Sequence, residues 1–202
     1  MNSAVAEERK LDAQALDILF REARTFNSWQ SRPVDSGILR ELYDLVKFGP
    51  TAANSTPARF VFLTTQASKE RLVPLMNEGN RAKTLQAPVV ALVAYDLKFY
   101  EKMDKLMPFR DMKTPFAENP AGAERNARQS GTLQGGYFIV AARSLGLDCG
   151  PMGGFDADRI NDEFFAGTDM KINFVCSLGY GNREQLFPRL PRLDFEEAVT
   201  IL

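Results

Sequence analysis

Three short clusters in this chain carry side chains able to hold an anion or a flat polar ring. The first, Arg24-Thr25-Phe26-Asn27, offers a guanidinium, a hydroxyl and a carboxamide just beyond an expected helix end. The second runs from Pro50 to Pro57, PTAANSTP, where small residues let the backbone approach a ligand and Asn54 and Ser55 add hydrogen-bonding groups. The third is PRLPR, in which prolines stiffen a loop that presents Arg189 and Arg192. A guanidinium grips phosphate with two parallel N–H groups, so the arginines suit a cofactor's terminal phosphate. Each cluster also has an ordinary structural reading: a surface ion pair, a turn, a rigid connector. GPMGG at 150–154 has the look of a glycine-rich cradle, but neither GxGxxG nor GxxxxGK[ST] occurs to claim a nucleotide.

The chain has no histidine. That removes Ser-His-Asp and Cys-His catalysis, His-ligated metals and the commonest general base near neutral pH. Its two cysteines, Cys149 and Cys176, stand in apolar, strand-like contexts without CxxC spacing and read as buried small hydrophobes. No metal site is expected, and any hard chemistry falls to an organic cofactor. Lys plus Arg number 25 against 26 for Asp plus Glu, a formal net charge of −1, so no basic face invites nucleic acid. No apolar run approaches the ~20 residues of a membrane span. The opening MNSAVAEERKLDAQ is polar, without the apolar stretch of a secretory signal, and a cytoplasmic location is expected.

Around these clusters the pattern predicts the elements that must position them. Residues 11–21 carry a helix-like apolar face, and Asp35 or Ser36 can cap a helix bearing Ile38, Leu39, Leu42, Leu45 and Val46, which stops at Gly49-Pro50. A strand is predicted at Arg59–Thr65, a short helix from Ser68 to Met76, and a strand covered on both faces at Pro88–Tyr95. Residues 96–120, aromatic and punctuated by proline, read as a lid or excursion. A long helix follows at Glu124–Leu145, where Gly135-Gly136 suggests close approach by another backbone and Gly146 suits the C-terminal cap. A short helix, Asp156–Phe164, and a strand, Ile172–Tyr180, precede the proline-arginine tail. Interleaved strands and helices mean α/β or α+β, in one domain over 11–202 after a flexible stretch at 1–10.

Taken in order, RTxNxW at 24–29, GPTxANSxPARF at 49–60, Asn80-x-x-Lys83, GPMGGFD at 150–156 and PRLPRLDF at 188–195 resemble the nitroreductase superfamily. The similarity runs over about residues 11–202 and is greatest to the malonic semialdehyde reductase branch of pyrimidine utilisation. It implies an α+β fold with a central, mostly antiparallel sheet flanked by helices. It also implies an obligate-type homodimer with an exchanged C-terminal segment, FMN in the dimer interface, and NADH or NADPH as hydride donor. The family's phosphate-holding motif falls on Arg24 and Thr25, with Asn27 where a second basic residue is common. Its C-terminal basic pair falls on Phe187 and Arg189, so only Arg189 keeps its charge, with Arg192 a candidate to compensate. The loop against flavin N5 falls on Pro151, Met152, Gly153 and Gly154. Many relatives carry Glu at the place of Gly153, but a backbone N–H to N5 needs no side chain. Asn80 and Lys83 fall at the flavin's pyrimidine edge, where Lys83 would stabilise anionic reduced flavin. Thr51, Asn54 and Ser55 would be lent by the partner subunit. Phe26 stands where close relatives often have His, which costs the hydride chemistry nothing.

Within the 99–117 excursion, cationic side chains interleave with aromatics, and Arg110 is the candidate clamp for a small carboxylate substrate. The resemblance thus predicts reduction of malonic semialdehyde to 3-hydroxypropionate. The alternatives are a broad nitro, quinone or enone reductase, and a flavin-binding dimer without turnover of its own.

Overall fold

The most apolar run of the chain becomes the middle of its sheet. The computed structural model describes residues 10–202, so the flexible N-terminal stretch expected at 1–10 lies, but for Lys10, outside the described residues. Four strands, β1 (Ala58–Leu63), β2 (Val89–Asp96), β3 (Asp148–Met152) and β4 (Met170–Gly179), pair antiparallel throughout in the order β1-β2-β4-β3. Side chains alternate across a strand, so β2 feeds two cores at once. Val89, Ala91 and Val93 pack with Leu42, Val46 and Phe138 on one face. Val90, Leu92 and Ala94 pack with Leu72, Leu75 and Ile160 on the other. Both faces are filled, which is why the segment reads as continuous rather than alternating.

The helices are α1 (Ala13–Leu16), continuing as a π-helical turn over Asp17–Arg21, then α2 (Ser36–Val46), α3 (Gln66–Leu72) and α4 (Glu78–Gln86). After them come α5 (Met103–Leu106), α6 (Lys113–Ala117), α7 (Pro120–Ser144), α8 (Ala157–Phe164) and α9 (Phe195–Ala198). Asp35 caps α2 through the Gly37 N–H, and Asp156 caps α8 through Arg159 N–H. α3 begins earlier than its sequence suggested, because Thr65 and Ser68 form a reciprocal capping box with Ser68 inside the helix.

Two expectations change. The 96–120 segment is no bare lid: Phe99 and Met103 are fully buried with Tyr95 and with Ala123 and Ala127 of α7. α7 reaches four residues further back than expected, capped by Asn119 with Pro120 in its first turn, and its alanines receive these side chains. Gly135 does face a close neighbour, but that neighbour is a ring and not a backbone. A Cβ there would lie 2.4 Å from Phe174 Cε1, while Gly136 faces open space. The long helix therefore lies flat on β4 because a glycine makes room for a phenylalanine. Among the described residues no helix is long and apolar enough to cross a membrane.

Candidate functional site

The segment after the π-helical turn, residues 24–27, lies along the free edge of the sheet. Phe26 N–H donates to Cys149 O at 3.0 Å, and Thr25 bridges Cys149 in a parallel register. The fit is close. A Cβ on Gly150 would stand 2.5 Å from Phe26 O, and one on Gly181 would overlap the buried Phe26 ring. Phe26 is thus a core residue that seats this segment.

From there a closed circuit of contacts can be followed. Lys83 Nζ donates to Asn27 Oδ1 at 3.0 Å, tying α4 to the segment. One turn earlier on α4, Asn80 Nδ2 donates to Gly154 O at 2.9 Å, and Asn77 N–H reaches the same carbonyl at 3.0 Å. Glycine at 154 leaves room for the Asn80 bond, since a Cβ there would meet Asn80 Nδ2 at 2.7 Å and push that side chain aside. The loop runs back through Met152 and Pro151 along β3 to Cys149 and so to Phe26. Met152 is buried, its sulfur accepting from Thr84 Oγ1 at 3.7 Å, so what it gives the site is backbone. Gly153 is exposed, with nothing within 4 Å of where a Cβ would be. A backbone N–H at this turn is open to a ligand.

Charge accumulates beside that opening. Arg24 Nη2 donates to Phe187 O, and Arg189 Nη2 donates to Arg21 O at 2.7 Å and Ala23 O at 2.9 Å. Among the described residues neither guanidinium bonds a carboxylate, nor does Lys83, whose pKa burial pushes down. Thr25 and Asn27 are exposed beside them. Uncompensated cations around main-chain N–H groups favour an anion with several oxygen acceptors.

Thr51, Asn54 and Ser55 lie apart, ahead of β1 at the opposite edge of the sheet, and no hydrogen bond or ion pair among the described residues joins them to the circuit. Their side chains are spent locally. Thr51 Oγ1 accepts from Thr56 N–H, Asn54 Nδ2 donates to Leu106 O, and the fully buried Ser55 Oγ accepts from Asn126 Nδ2. Ala52 and Asn54 are exposed, and with its polar side chains spent the loop has its backbone to offer. That backbone is strained, with Ala53, Asn54 and Thr56 at φ of 53°, 52° and 37°, a conformation that costs non-glycine residues of order 1 kcal/mol or more each. Arg59 helps hold it, bonding Thr56 O at 3.0 Å while paired with Asp96 at 2.7 Å. Asn54→Ala is expected to cost about 1–2 kcal/mol in urea unfolding through the lost bond and the poorer φ. Asn54→Gly, which relieves the φ, should cost less; equal losses would show that strain plays no part.

Arg192 Nη1 bonds Leu190 O and Pro191 O within its own exposed tail, and Arg110 is exposed in the loop between α5 and α6, so neither joins the circuit in this chain. Sequence reading passed over Asn77 and Gly181 and took Gly150 only as part of the GPMGG run; the glycines were visible as residues, but not what they face. Cys149 and Cys176 are buried and unpaired, and hydrogen bonding to Cys149 together with burial pushes the Cys176 thiol well up, away from reactivity. Among the described residues no group of three or more Cys, Asp or Glu comes together that could hold a metal. A cavity of about 1150 Å³ lies on the outer face of α7 against Phe20, Arg125, Leu133, Gly136 and Tyr137, away from the circuit.

An edge-strand loop, flanked by a helix offering Asn and Lys and by arginines that bond only main-chain carbonyls among the described residues, has the chemistry to receive a flat polar ring and an anion. The nitroreductase family model matches residues 21–180, and the chain belongs to the nitroreductase family. It is 55% identical over 95% of its length, and 98% of the other's, to a candidate NADH dehydrogenase/NAD(P)H nitroreductase of Ralstonia nicotianae. Its fold matches a Bacillus subtilis protein titled a nitroreductase, with a TM-score of 0.83 at 20% identity, over 95% of this chain and 100% of that one. It also matches an Exiguobacterium sibiricum protein titled a nitroreductase in complex with FMN, with a TM-score of 0.82 at 19% identity, over 96% and 99%.

Proposed function

We propose that this chain is an FMN-dependent NAD(P)H oxidoreductase, a cytoplasmic homodimer whose single domain, 11–202, reduces malonic semialdehyde to 3-hydroxypropionate. The observation that carries the reading is the closed circuit 24–27, 80–83 and 149–154, which leaves cations unpaired around an open backbone turn. FMN fits this donor set: Arg24, Thr25 and Arg189 would hold its phosphate, and Asn80 and Lys83 would hold its pyrimidine edge. Asn27 holds Lys83 in place, and the Pro151–Gly154 backbone would offer its N–H groups to the ring. When bound, FMN supplies a hydride relay, so that each aldehyde reduced consumes one NAD(P)H and one proton. The chain's part is to hold the ring, keep positive charge beside its pyrimidine edge and exclude water.

The second copy is supported by the apolar surface left uncovered. Phe20, Leu133 and Tyr137 are about half exposed at the α7 cavity, and Phe187, Leu190, Leu193, Phe195 and Ile201 stand out along the tail. Patches of this extent ordinarily mark an interface. A dimer that covers α7 and exchanges its tail buries them, and brings the Thr51–Ser55 backbone of one protomer to the ring of the other. Arg110 is then placed to clamp the substrate carboxylate across the interface. Arg110→Ala should raise KM for the semialdehyde acid about tenfold and leave that for an uncharged aldehyde unchanged; equal effects on both would remove the clamp.

The names of the curated relatives favour one second reading, a nitroreductase of broad acceptor range. Protein purified without added cofactor should be yellow and should bleach when mixed anaerobically with NADH or NADPH. A panel of semialdehyde, quinone and nitroaromatic acceptors then chooses between the readings by kcat/KM. Colourless protein that takes up no FMN overturns both.

A further inference from the structure

α4 carries two of the side chains assigned to the ring, Asn80 and Lys83, yet its C-terminus lacks the usual means of closing. The last carbonyls of a helix have no partners within it, and a left-handed glycine commonly supplies the turn that satisfies them. Here the helix ends at Gln86, and Ala87 is extended at φ −61° and ψ 137°. Pro88, the next residue, has no N–H to offer.

The donors come instead from another helix. Lys69 of α3 reaches across so that Nζ donates to Leu85 O at 3.0 Å and to Ala87 O at 2.8 Å. The residue is 7% exposed and bonds no carboxylate among the described residues, and desolvation holds its pKa below the ordinary lysine value. Burying an ammonium without a counterion is costly. The return on that cost is local: two carbonyls satisfied and a positive charge at the negative end of the helix dipole.

We infer that Lys69 is a positioning residue for the flavin site, clamping the C-terminus of α4 and thereby setting where Lys83 and Asn80 stand. This rests on the FMN reading above. Lys83 is two residues before the clamped carbonyl of Leu85, so a frayed last turn would carry its ammonium away from Asn27.

The test uses the full-length protein and FMN itself. Trp29, the chain's single tryptophan, lies against Gly150 and Gly179 beside the circuit, so its fluorescence reports FMN binding. Lys69→Met, checked by circular dichroism to be folded at 10 °C, is expected to bind FMN about tenfold more weakly and to lower the midpoint potential of the bound flavin. Lys69→Arg, which keeps charge and donors, should restore most of the affinity. In a Lys83→Met background the Lys69→Met change should cost at most about threefold, because part of what it positions is gone. If Lys69→Met does not fold, Lys69→Gln carries the same comparison, with an expected loss of about threefold. A folded variant with parental affinity and potential, or an undiminished loss in the Lys83→Met background, overturns the inference. If the parent protein itself takes up no FMN, it is the functional reading that fails; if Lys83→Met weakens binding while Lys69→Met does not, only this inference fails.

Discussion

Arg24→Ala and Arg189→Ala are each expected to bind FMN about thirtyfold more weakly than the parent, and the double variant should be isolated without colour. Each substitution removes a charged donor whose only partners in the described chain are main-chain carbonyls. A charge-assisted hydrogen bond contributes about 2 kcal/mol, roughly thirtyfold in affinity. Arg24→Lys keeps the charge but not the fork, and should recover only part of the loss. Riboflavin, which has no phosphate, should bind parent and variants alike. Equilibrium dialysis of both ligands decides the matter: unchanged FMN affinity in both single variants, or equal losses for riboflavin, would show that the phosphate lies elsewhere.

Gly150→Ala has the second large effect, through the circuit rather than through a ligand contact. The new methyl group would sit 2.5 Å from Phe26 O and 3.2 Å from Trp29 Cζ2, and the first of these is backbone that cannot rotate aside. Overpacking of this kind costs about 1–3 kcal/mol, or a drop of some 3–10 °C in Tm for a chain of this length. To relieve it, the 24–27 segment must lift from β3, stretching Phe26 N–H from Cys149 O and carrying Arg24 and Asn27 with it. Loss of FMN should therefore accompany the fall in Tm. Gly153→Ala is the control: its Cβ meets nothing, so Tm should hold. Gly150→Ala with parental Tm and colour would mean that the segment does not lie against β3 as described.

Much of the frame was legible in sequence because its physics is local. The capping Asp35 and the apolar spacing of α2, the unbroken run of β2 and the stretch leading into Gly179 each carry their own signal. α4 carries none. Its sequence, EGNRAKTLQ, has a single buried residue, Thr84, so no apolar stripe marks it, and Lys69 holds its end from another helix. β3 contains Gly150 and Pro151, poor strand residues, and is tolerated as the sheet's edge, where β4 is its one partner strand and the 24–27 segment adds a bridge at Cys149. The site residues show the same division. RTxNxW and Asn-x-x-Lys can be read from the chain by resemblance, but that Asn27 and Lys83 touch, and that Ser55 turns inward, depends on how distant segments dock. The lengthened α7 was in fact signalled by Asn119-Pro120, a helix-start pair hidden by the aromatic residues before it.

The circuit joins residues 24–27, 77–83 and 149–154, which are far apart in sequence and meet only across the finished sheet. An unfolded or half-folded chain has no fragment of it to offer. Loading must then follow global folding, and a ligand that binds only the native state raises Tm with its own concentration by mass action. Colour becomes a gauge of the whole chain's cooperativity, so that a cavity cut in the separate core at Phe99 or Met103 would first be noticed as pale protein.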